Sequence, residues 1–194
     1  PVSLLAATLS KSSTWSRTLA KKILRYLVGT REVGLVFEGF VTGTYPGASQ
    51  SLQLQGFTDA GFAGIEARSQ SGLVVFLNGC PVLWRSARQT TTALSTGEAE
   101  LTAGALGLQC ILGLRFLLED IMDERVEIKM FFDNTSAVTV ASAGGTWRSR
   151  YYSVRGAFLK ELVERGEITI EHVPTQEELA DALTKLVDSN VLTV

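Results

Sequence analysis

Four acidic residues occupy positions where a sheet-based fold would gather carboxylates. Asp59 and Asp133 each end a hydrophobic segment that is typical of a strand, whereas Glu100 and Asp181 lie in segments with helical character. The carboxyl ends of strands are where open α/β sheets place their sites. Hard cations such as Mg²⁺ prefer oxygen ligands, and a cation offsets the repulsion between crowded carboxylates. These residue types therefore point to a metal centre.

Each acid also has an ordinary structural interpretation. Asp59 could begin a turn, Asp133 could cap the helix after it, and Asp181 could be a solvated helix residue. The spacing places these acids on elements of secondary structure and leaves open whether they converge.

Helical spacing distinguishes Glu100 from its neighbour Glu98. Glu98 lies about 200° round the helix from Glu100, three residues after Ser95, where it suits a capping box. A carboxylate on an apolar face is costly to bury unless it is paired or holds a metal ion. We therefore expect Glu100, not Glu98, to be the ligand, because it shares its face with small and apolar residues at Gly104, Gly107, Ile111, Leu114 and Leu118.

Hydrophobic periodicity and turn signals predict the element order βββαβα(α)βα after residue 50. Asn78-Gly79 predicts a tight hairpin between the second and third strands. Three consecutive strands followed by helix-separated strands imply an α/β fold with a mixed sheet and helices packed on it. The last helix is expected to open at Thr175, with Glu178 completing a capping box. The predicted strands span 51–59, 71–79, 81–87, 126–134 and 168–173, and the other helices span 95–120, 136–144 and 150–166.

The N-terminal region differs in charge from the rest of the chain. Residues 1–40 carry six basic and two acidic side chains (+4), and the remainder carries 12 basic and 18 acidic ones (−6). A helix over 14–28 and a strand over 34–40 are predicted here. The turn-rich residues that follow favour a boundary, so we divide the chain into 1–48 and 49–194. An acidic body with a basic arm suits a metal-dependent phosphate enzyme, but it also suits an ordinary acidic protein.

Cysteine and histidine usage bounds the chemistry. Cys80 and Cys110 lack metal-ligand spacing and His172 is the only histidine, which argues against zinc and against a disulfide framework. The mild inference is a reducing, intracellular setting. We expect His172 to be a partly buried strand residue rather than a catalytic one. The apolar runs fall short of a membrane span, so no membrane contact is expected.

Basic and aromatic residues are mixed before and within the predicted helix 150–166. Such a mixture suits contacts to phosphate and sugar, but a solvated basic edge with core aromatics is an equal alternative. The residues that we assign to nucleic-acid binding are Arg148, Arg150 and Arg155, together with Asn134 beside Asp133.

Five ordered segments carry a family resemblance. They are GFTDAGFAG (56–64), RSQSGLVVFLNG (68–79), WRSARQTTTALSTGEAEL (84–101), FFDNTSAV (131–138) and HVPTQEELADALTK (172–185). In this order they resemble the motifs of the ribonuclease H (RNase H) domain of copia-type retrotransposon Pol polyproteins. KKILRYLVGTREVGL (21–35) is similar to the family segment that joins reverse transcriptase to RNase H.

The resemblance implies an RNase H-like sheet of three antiparallel strands extended by two parallel ones. It implies that Asp59, Glu100, Asp133 and Asp181 hold two Mg²⁺ ions, for which Mn²⁺ could substitute. The implied activity is endonucleolytic cleavage of the RNA strand of RNA–DNA hybrids. The implied partners are the hybrid and the rest of the Pol polyprotein with its reverse transcriptase, in the cytoplasm, the nucleus or a virus-like particle.

Two other functions stay open. One is a degenerate domain that binds hybrid or a partner without cutting. The other is a different enzyme on the same fold, such as an integrase or a 3′ exonuclease.

Overall fold

A five-stranded mixed sheet organises the chain. The computed structural model describes residues 2–7, 13–37, 52–63, 67–135, 138–139 and 153–185. The strand order is β3-β2-β1-β4-β5, in which β1, β2 and β3 are antiparallel neighbours and β4 and β5 continue parallel to β1. This confirms the predicted sheet. The strands are β1 (Leu52–Gly61), β2 (Gln70–Leu77), β3 (Cys80–Arg88), β4 (Val126–Phe132) and β5 (Thr169–His172).

Five α-helices accompany the sheet in the described part of the chain. The long helix α3 begins after Ser95, as predicted, and the helix expected over 14–28 is α2. The helix predicted over 136–144 lies mostly outside the described residues. The helices are α1 (Val2–Ala7), α2 (Thr14–Gly29), α3 (Thr96–Met122), α4 (Ser153–Glu164) and α5 (Asp181–Thr184).

Two local predictions were wrong. In the strand expected over 34–40, residues 34–37 have no regular structure and are exposed, because no described strand pairs with them, and 38–40 lie outside the described residues. The last segment does not form one helix from Thr175. It forms a single 3₁₀ turn (Thr175–Glu177) and then α5, because the carboxylate of Glu178 bonds forward to the N–H of Ala180 rather than back to a helix start.

The hairpin between β2 and β3 turns at the predicted dipeptide. Asn78 has φ 46° and Gly79 has φ 85°. Two successive residues with positive φ match the right-handed twist of the flanking strands. This turn fixes how β3 extends the sheet beyond β2.

Helix α3 supplies the core against one face of the sheet. Leu101, Leu108 and Ile111 on α3 are fully buried with Met130 and Phe132 of β4. By length and composition alone this helix could cross a membrane. In this fold its buried apolar residues pack against the sheet, as in the core helix of a globular domain.

Close approach of α3 to the sheet depends on Gly104. A Cβ atom at this position would lie 2.3 Å from Cε1 of the buried Phe132 ring. The helix that carries Glu100 is therefore seated against β4 with no space for a side chain there.

We predict opposite effects for two glycine-to-alanine changes in α3. Gly104→Ala should lower the free energy of unfolding by about 1–3 kcal/mol, because the added methyl overpacks Phe132. Gly113→Ala is the matched control, since nothing lies within 4 Å of its Cβ position, and it should raise stability by up to about 1 kcal/mol through helix propensity. Urea denaturation measures both. Equal stabilisation by the two changes would contradict the packing at Gly104.

Candidate active site

Three carboxylates converge at one end of the sheet. Asp59, Glu100 and Asp133 each offer an oxygen, and these oxygens lie within 4.8 Å of one another. Asp59 is 3% exposed and Glu100 is 6% exposed, while Asp133 is partly buried. Like charges at this separation and burial repel strongly.

Strand register brings the two aspartates together. Phe57 of β1 pairs with Phe131 of β4 in parallel register, and their rings stack with centroids 4.6 Å apart. Asp59 and Asp133 each follow two residues later, so they lie at the same level, Asp59 within β1 and Asp133 directly after β4. Asp59 therefore comes from the central strand of the sheet, and Asp133 follows its neighbour β4.

Glu100 reaches this group from the start of α3. Its Oε1 accepts a hydrogen bond from the N–H of Ala60, 3.2 Å away, next to Asp59. The buried side chain of Gln89 donates to the carbonyl of Ala99 (2.9 Å) and thereby ties the first turn of α3 to the sheet. The other oxygen of Glu100, Oε2, is buried and has no hydrogen-bond partner among the described residues.

Glu98 is also buried, but it has a different task. Its N–H donates to Oγ of Ser95 (3.2 Å), and its own Oε2 accepts from the N–H of Leu94 (2.8 Å). The sequence predicted a capping role for Glu98, and the structure gives it one, with Leu94 in place of Ser95 as the backbone donor. Glu98 is not in the three-carboxylate group.

Asp181 lies outside the three-carboxylate group. It begins α5, and its Oδ1 accepts from the ammonium of Lys185 one turn later. Asp181 is still close enough to raise the pKa of Asp59 by repulsion. Its assignment as a fourth metal ligand stays a prediction.

Hydroxyl groups from the last segment hold the two aspartates. Thr184 donates to Oδ2 of Asp59, and Thr175 donates to Oδ2 of Asp133 over 3.1 Å. His172 lies on β5 but is exposed, so the expected partial burial was wrong, because its ring extends to the carbonyl of Asp133 (3.1 Å). Neither threonine was predicted from the sequence to belong to the site. The only signal in the sequence was that both lie in segment 172–185.

Burial and mutual repulsion raise the pKa values of this cluster. Burial first, and then the charges of Asp59 and Asp133, raise the pKa of Glu100 to about 9, against the opposing effect of the Ala60 N–H. Burial also raises the pKa of Asp59, although the hydroxyl of Thr184 and the charge of Lys185 counteract it. Burial and the neighbouring aspartates raise the pKa of Glu178 to about 8. Glu178 was predicted from the sequence to be a capping residue and not a member of the site.

A divalent cation fits this donor set. Three carboxylate oxygens within 4.8 Å offer the hard ligands that Mg²⁺ and Mn²⁺ accept. Glu100 Oε2 is a buried oxygen without a protein partner, and such an atom normally requires one. A bound cation would stabilise the ionised form of Glu100, whose pKa is raised first by burial and then by the charges of Asp59 and Asp133.

The residues assigned to nucleic-acid binding are only partly described. Arg148 and Arg150 lie outside the described residues. Arg155 is a partly buried residue of α4, and Asn134 directly follows Asp133, with its carbonyl accepting from the N–H of Val138 (3.1 Å). Their role in binding stays a prediction.

We predict that the metal-free protein loses stability as pH rises. Glu100, with a pKa of about 9 in the folded chain against an ordinary value of 4.5, holds its proton more tightly when folded. The contribution of protonated Glu100 to the free energy of unfolding is therefore complete below about pH 4.5, and it is lost as pH rises through about 9. Thermal melts in EDTA should show a falling melting temperature from pH 5.5 to 9, and saturating Mg²⁺ should restore it at the alkaline end.

The control for this prediction is Glu100→Gln, which should make the decline shallower, while Glu178, whose pKa is raised to about 8, still contributes to it. A wild-type melting temperature that rises over the same range would contradict the raised pKa.

Comparisons with known proteins identify relatives of the chain. The Pol polyprotein of transposon TNT 1-94 from Nicotiana tabacum is 32% identical over 173 residues, which cover 88% of this chain and 12% of that polyprotein. The polyprotein of transposon RE2 from Arabidopsis thaliana is 27% identical over 169 residues, 85% of this chain and 11% of the relative. The chain thus spans about an eighth of the length of these relatives. No family model matches the chain.

The fold also has solved counterparts. The N-terminal RNase H domain of a Mycobacterium tuberculosis protein superposes with a TM-score of 0.54 at 17% identity, covering 69% of this chain and 91% of that one. At this identity the likeness establishes the fold alone. The chain is therefore a relative of the Pol polyproteins of copia-type retrotransposons, and the segment of Pol that it represents has the RNase H fold.

Proposed function

We propose that this chain is a ribonuclease H that cuts the RNA strand of RNA–DNA hybrids internally, by two-metal-ion catalysis during retrotransposon reverse transcription. The observation that carries the proposal is the group of three carboxylate oxygens within 4.8 Å at the end of β1 and β4. A retrotransposon Pol relationship and an RNase H fold make hybrid hydrolysis the chemistry that this group would serve.

Asp59, Glu100 and Asp133 would hold the metal ions, and Asp181 is proposed as a fourth ligand. Asp59, on the central strand β1, would hold metal together with Glu100 and Asp133, because an oxygen of each lies within 4.8 Å of its own. When bound, such ions lower the pKa of a water molecule and stabilise charge on the leaving oxygen. The reaction adds water to the scissile phosphate and breaks its bond to the 3′ oxygen, which gives 5′-phosphate and 3′-hydroxyl ends.

The protein's own contribution is to fix the orientation of the carboxylates. The hydroxyl of Thr184 holds one oxygen of Asp59 and the hydroxyl of Thr175 holds one oxygen of Asp133 (3.1 Å). The Ala60 N–H holds one oxygen of Glu100, which leaves Oε2 for a ligand. Each acid therefore keeps a defined geometry before substrate arrives, which lowers the cost of organising the site.

Substrate recognition is proposed to follow the shape of the hybrid. Contacts to 2′-hydroxyls and to the minor groove distinguish an RNA strand from DNA. We assign contacts to phosphate and sugar to Arg148, Arg150 and Arg155, and we propose that Asn134, beside Asp133, also binds the nucleic acid.

The context of the chain is also part of the proposal. Residues 1–48 would be the tail of the reverse transcriptase region and 49–194 the nuclease, within a Pol polyprotein. Such a protein would work inside the cell, in the cytoplasm, the nucleus or a virus-like particle.

We predict that Asp133→Asn and Glu100→Gln each reduce hybrid cleavage by more than about 100-fold, above the range for losing an outer-shell partner. Both changes keep the size of the side chain and remove a ligand charge. Cleavage of a labelled RNA–DNA hybrid, with and without Mg²⁺, is the measurement. The matched control is Glu98→Gln, a buried capping residue on the same helix, which should keep activity and cost at most about 1 kcal/mol of stability.

The outcomes separate the alternatives. Near-native cleavage by Asp133→Asn at saturating Mg²⁺ would reject the metal assignment. Hybrid binding by the wild type without any cleavage would favour a degenerate domain. Cleavage of blunt duplex DNA in preference to hybrid would favour another nuclease on the same fold.

We further predict that the basic arm contacts phosphate. Lys21, Lys22 and Arg25 are exposed on α2. If each neutralises a phosphate, changing all three to glutamine should flatten the slope of log affinity against log salt by about two to three units. The melting temperature should stay unchanged. A salt series of hybrid binding, with Lys129→Gln and Arg165→Gln as controls outside the arm, measures this.

An unchanged slope would assign the arm a docking role instead. Two contacts would then explain its presence, namely the buried Leu19 of α2 and the hydrogen bond from Gln70 to Ser3 of α1 (2.9 Å).

A further inference from the structure

Glu178 is a buried acid that the proposed mechanism does not use. It lies between the 3₁₀ turn and α5, and it is only 5% exposed. Its Oε1 accepts a hydrogen bond from the N–H of Ala180 (3.0 Å), and its carbonyl accepts from the N–H of Asp181 (3.3 Å). Its place in the turn is therefore fixed by the backbone that leads into α5.

One oxygen of Glu178 is left over. Oε2 is buried and has no hydrogen-bond partner among the described residues. The contact to Ala180 needs a single acceptor, so a neutral glutamine side chain could make it equally well. A buried polar atom without a partner disfavours folding unless a ligand satisfies it.

The electrostatic neighbours of Glu178 are the acids of the site. Asp59, Asp133 and Asp181 all act on Glu178, and Glu178 in turn acts on Glu100. Glu178 is not one of the three residues whose oxygens lie within 4.8 Å of one another. It therefore adds negative charge to the centre from outside that group.

We propose that Glu178 is a fifth carboxylate of the metal centre, which uses its free Oε2 and its charge to hold a divalent cation beside the three-carboxylate group. This inference rests on the proposed metal centre and goes beyond the four acids assigned above. Two carboxylates among the described residues, those of Glu100 and Glu178, share the same arrangement, with Oε1 held by a backbone N–H and Oε2 buried without a hydrogen-bond partner in that part of the chain. In both, the bond to the backbone restrains the carboxylate and leaves one oxygen available to a ligand.

Metal binding without nucleic acid tests the inference. Isothermal titration of the full chain with Mn²⁺ at pH 8.5 should show that Glu178→Gln weakens affinity about tenfold, the scale for losing a supporting group around a metal. The variant should keep or raise the metal-free melting temperature, because it keeps the acceptor for Ala180 and removes a repelling charge. Glu98→Gln is the matched control, since Glu98 is a buried glutamate that also accepts a backbone N–H, and its Mn²⁺ affinity should equal that of the wild type.

The results distinguish this inference from the proposed function. If the wild type binds no Mn²⁺, the proposed metal centre fails and this inference fails with it. If the wild type binds Mn²⁺ and Glu178→Gln binds it equally well, only the role of Glu178 is overturned, whatever the effect on melting.

A second pair of variants covers the case in which Glu178→Gln does not fold. Glu178→Asp and Glu178→Asn have equal length and differ in charge, and both residue types are favoured in turns. The aspartate variant should bind Mn²⁺ several-fold more tightly than the asparagine variant. Equal affinity in this pair would overturn the proposal.

Discussion

Repulsion between carboxylates at one end of the sheet is the constraint to which the surrounding structure responds. Asp59 and Glu100 are almost fully buried, and their oxygens lie within 4.8 Å of each other and of Asp133. Nothing in these three side chains favours their approach in the absence of a cation. The sheet register and the packing of α3 against the sheet must therefore hold the three side chains together. This arrangement lowers the stability of the metal-free protein.

The segment 172–185 offsets part of this loss of stability through hydrogen bonds and an ion pair to the acids. Thr175 and Thr184 donate hydrogen bonds to the two aspartates, and Lys185 pairs with Asp181. For Thr184 to reach Asp59, α5 must pack closely on β1 and β2. Gly72 permits it, because a Cβ atom there would lie 2.7 Å from the carbonyl oxygen of Ala180. The turn that contains Glu178 is fixed by the same approach, so the stability of this segment and the geometry of the acids depend on each other.

Helix α3 shows how one element serves both the core and the site. Its buried face seats Leu101, Leu108 and Ile111 against the sheet, and the same face carries Glu100 at its start. The rotation and the depth of the helix are set by apolar packing and by the absent side chain at Gly104. The position of Glu100 therefore follows from the core, and little conformational freedom is left to the ligand.

The sequence by itself determined the features that depend on neighbouring residues. Alternation and helical spacing encode which face of an element is buried, so the five strands, the hairpin at Asn78-Gly79 and the face of α3 that carries Glu100 could all be predicted. Positive φ at Asn78 and Gly79 is a local property, and so is the cap that Ser95 forms for α3.

Only the tertiary structure decided which distant residues meet. The convergence of Asp59 and Asp133 depends on the pairing of Phe57 with Phe131, and strand register is set by packing across the whole sheet. The same limit explains the errors at the two ends of the chain. Residues 34–37 look like a strand but have no described partner strand, and Glu178 looks like a capping residue but is buried beside acids from β1, β4 and α5. A carboxylate's surroundings come from segments far apart in the chain, and local spacing contains no information about them.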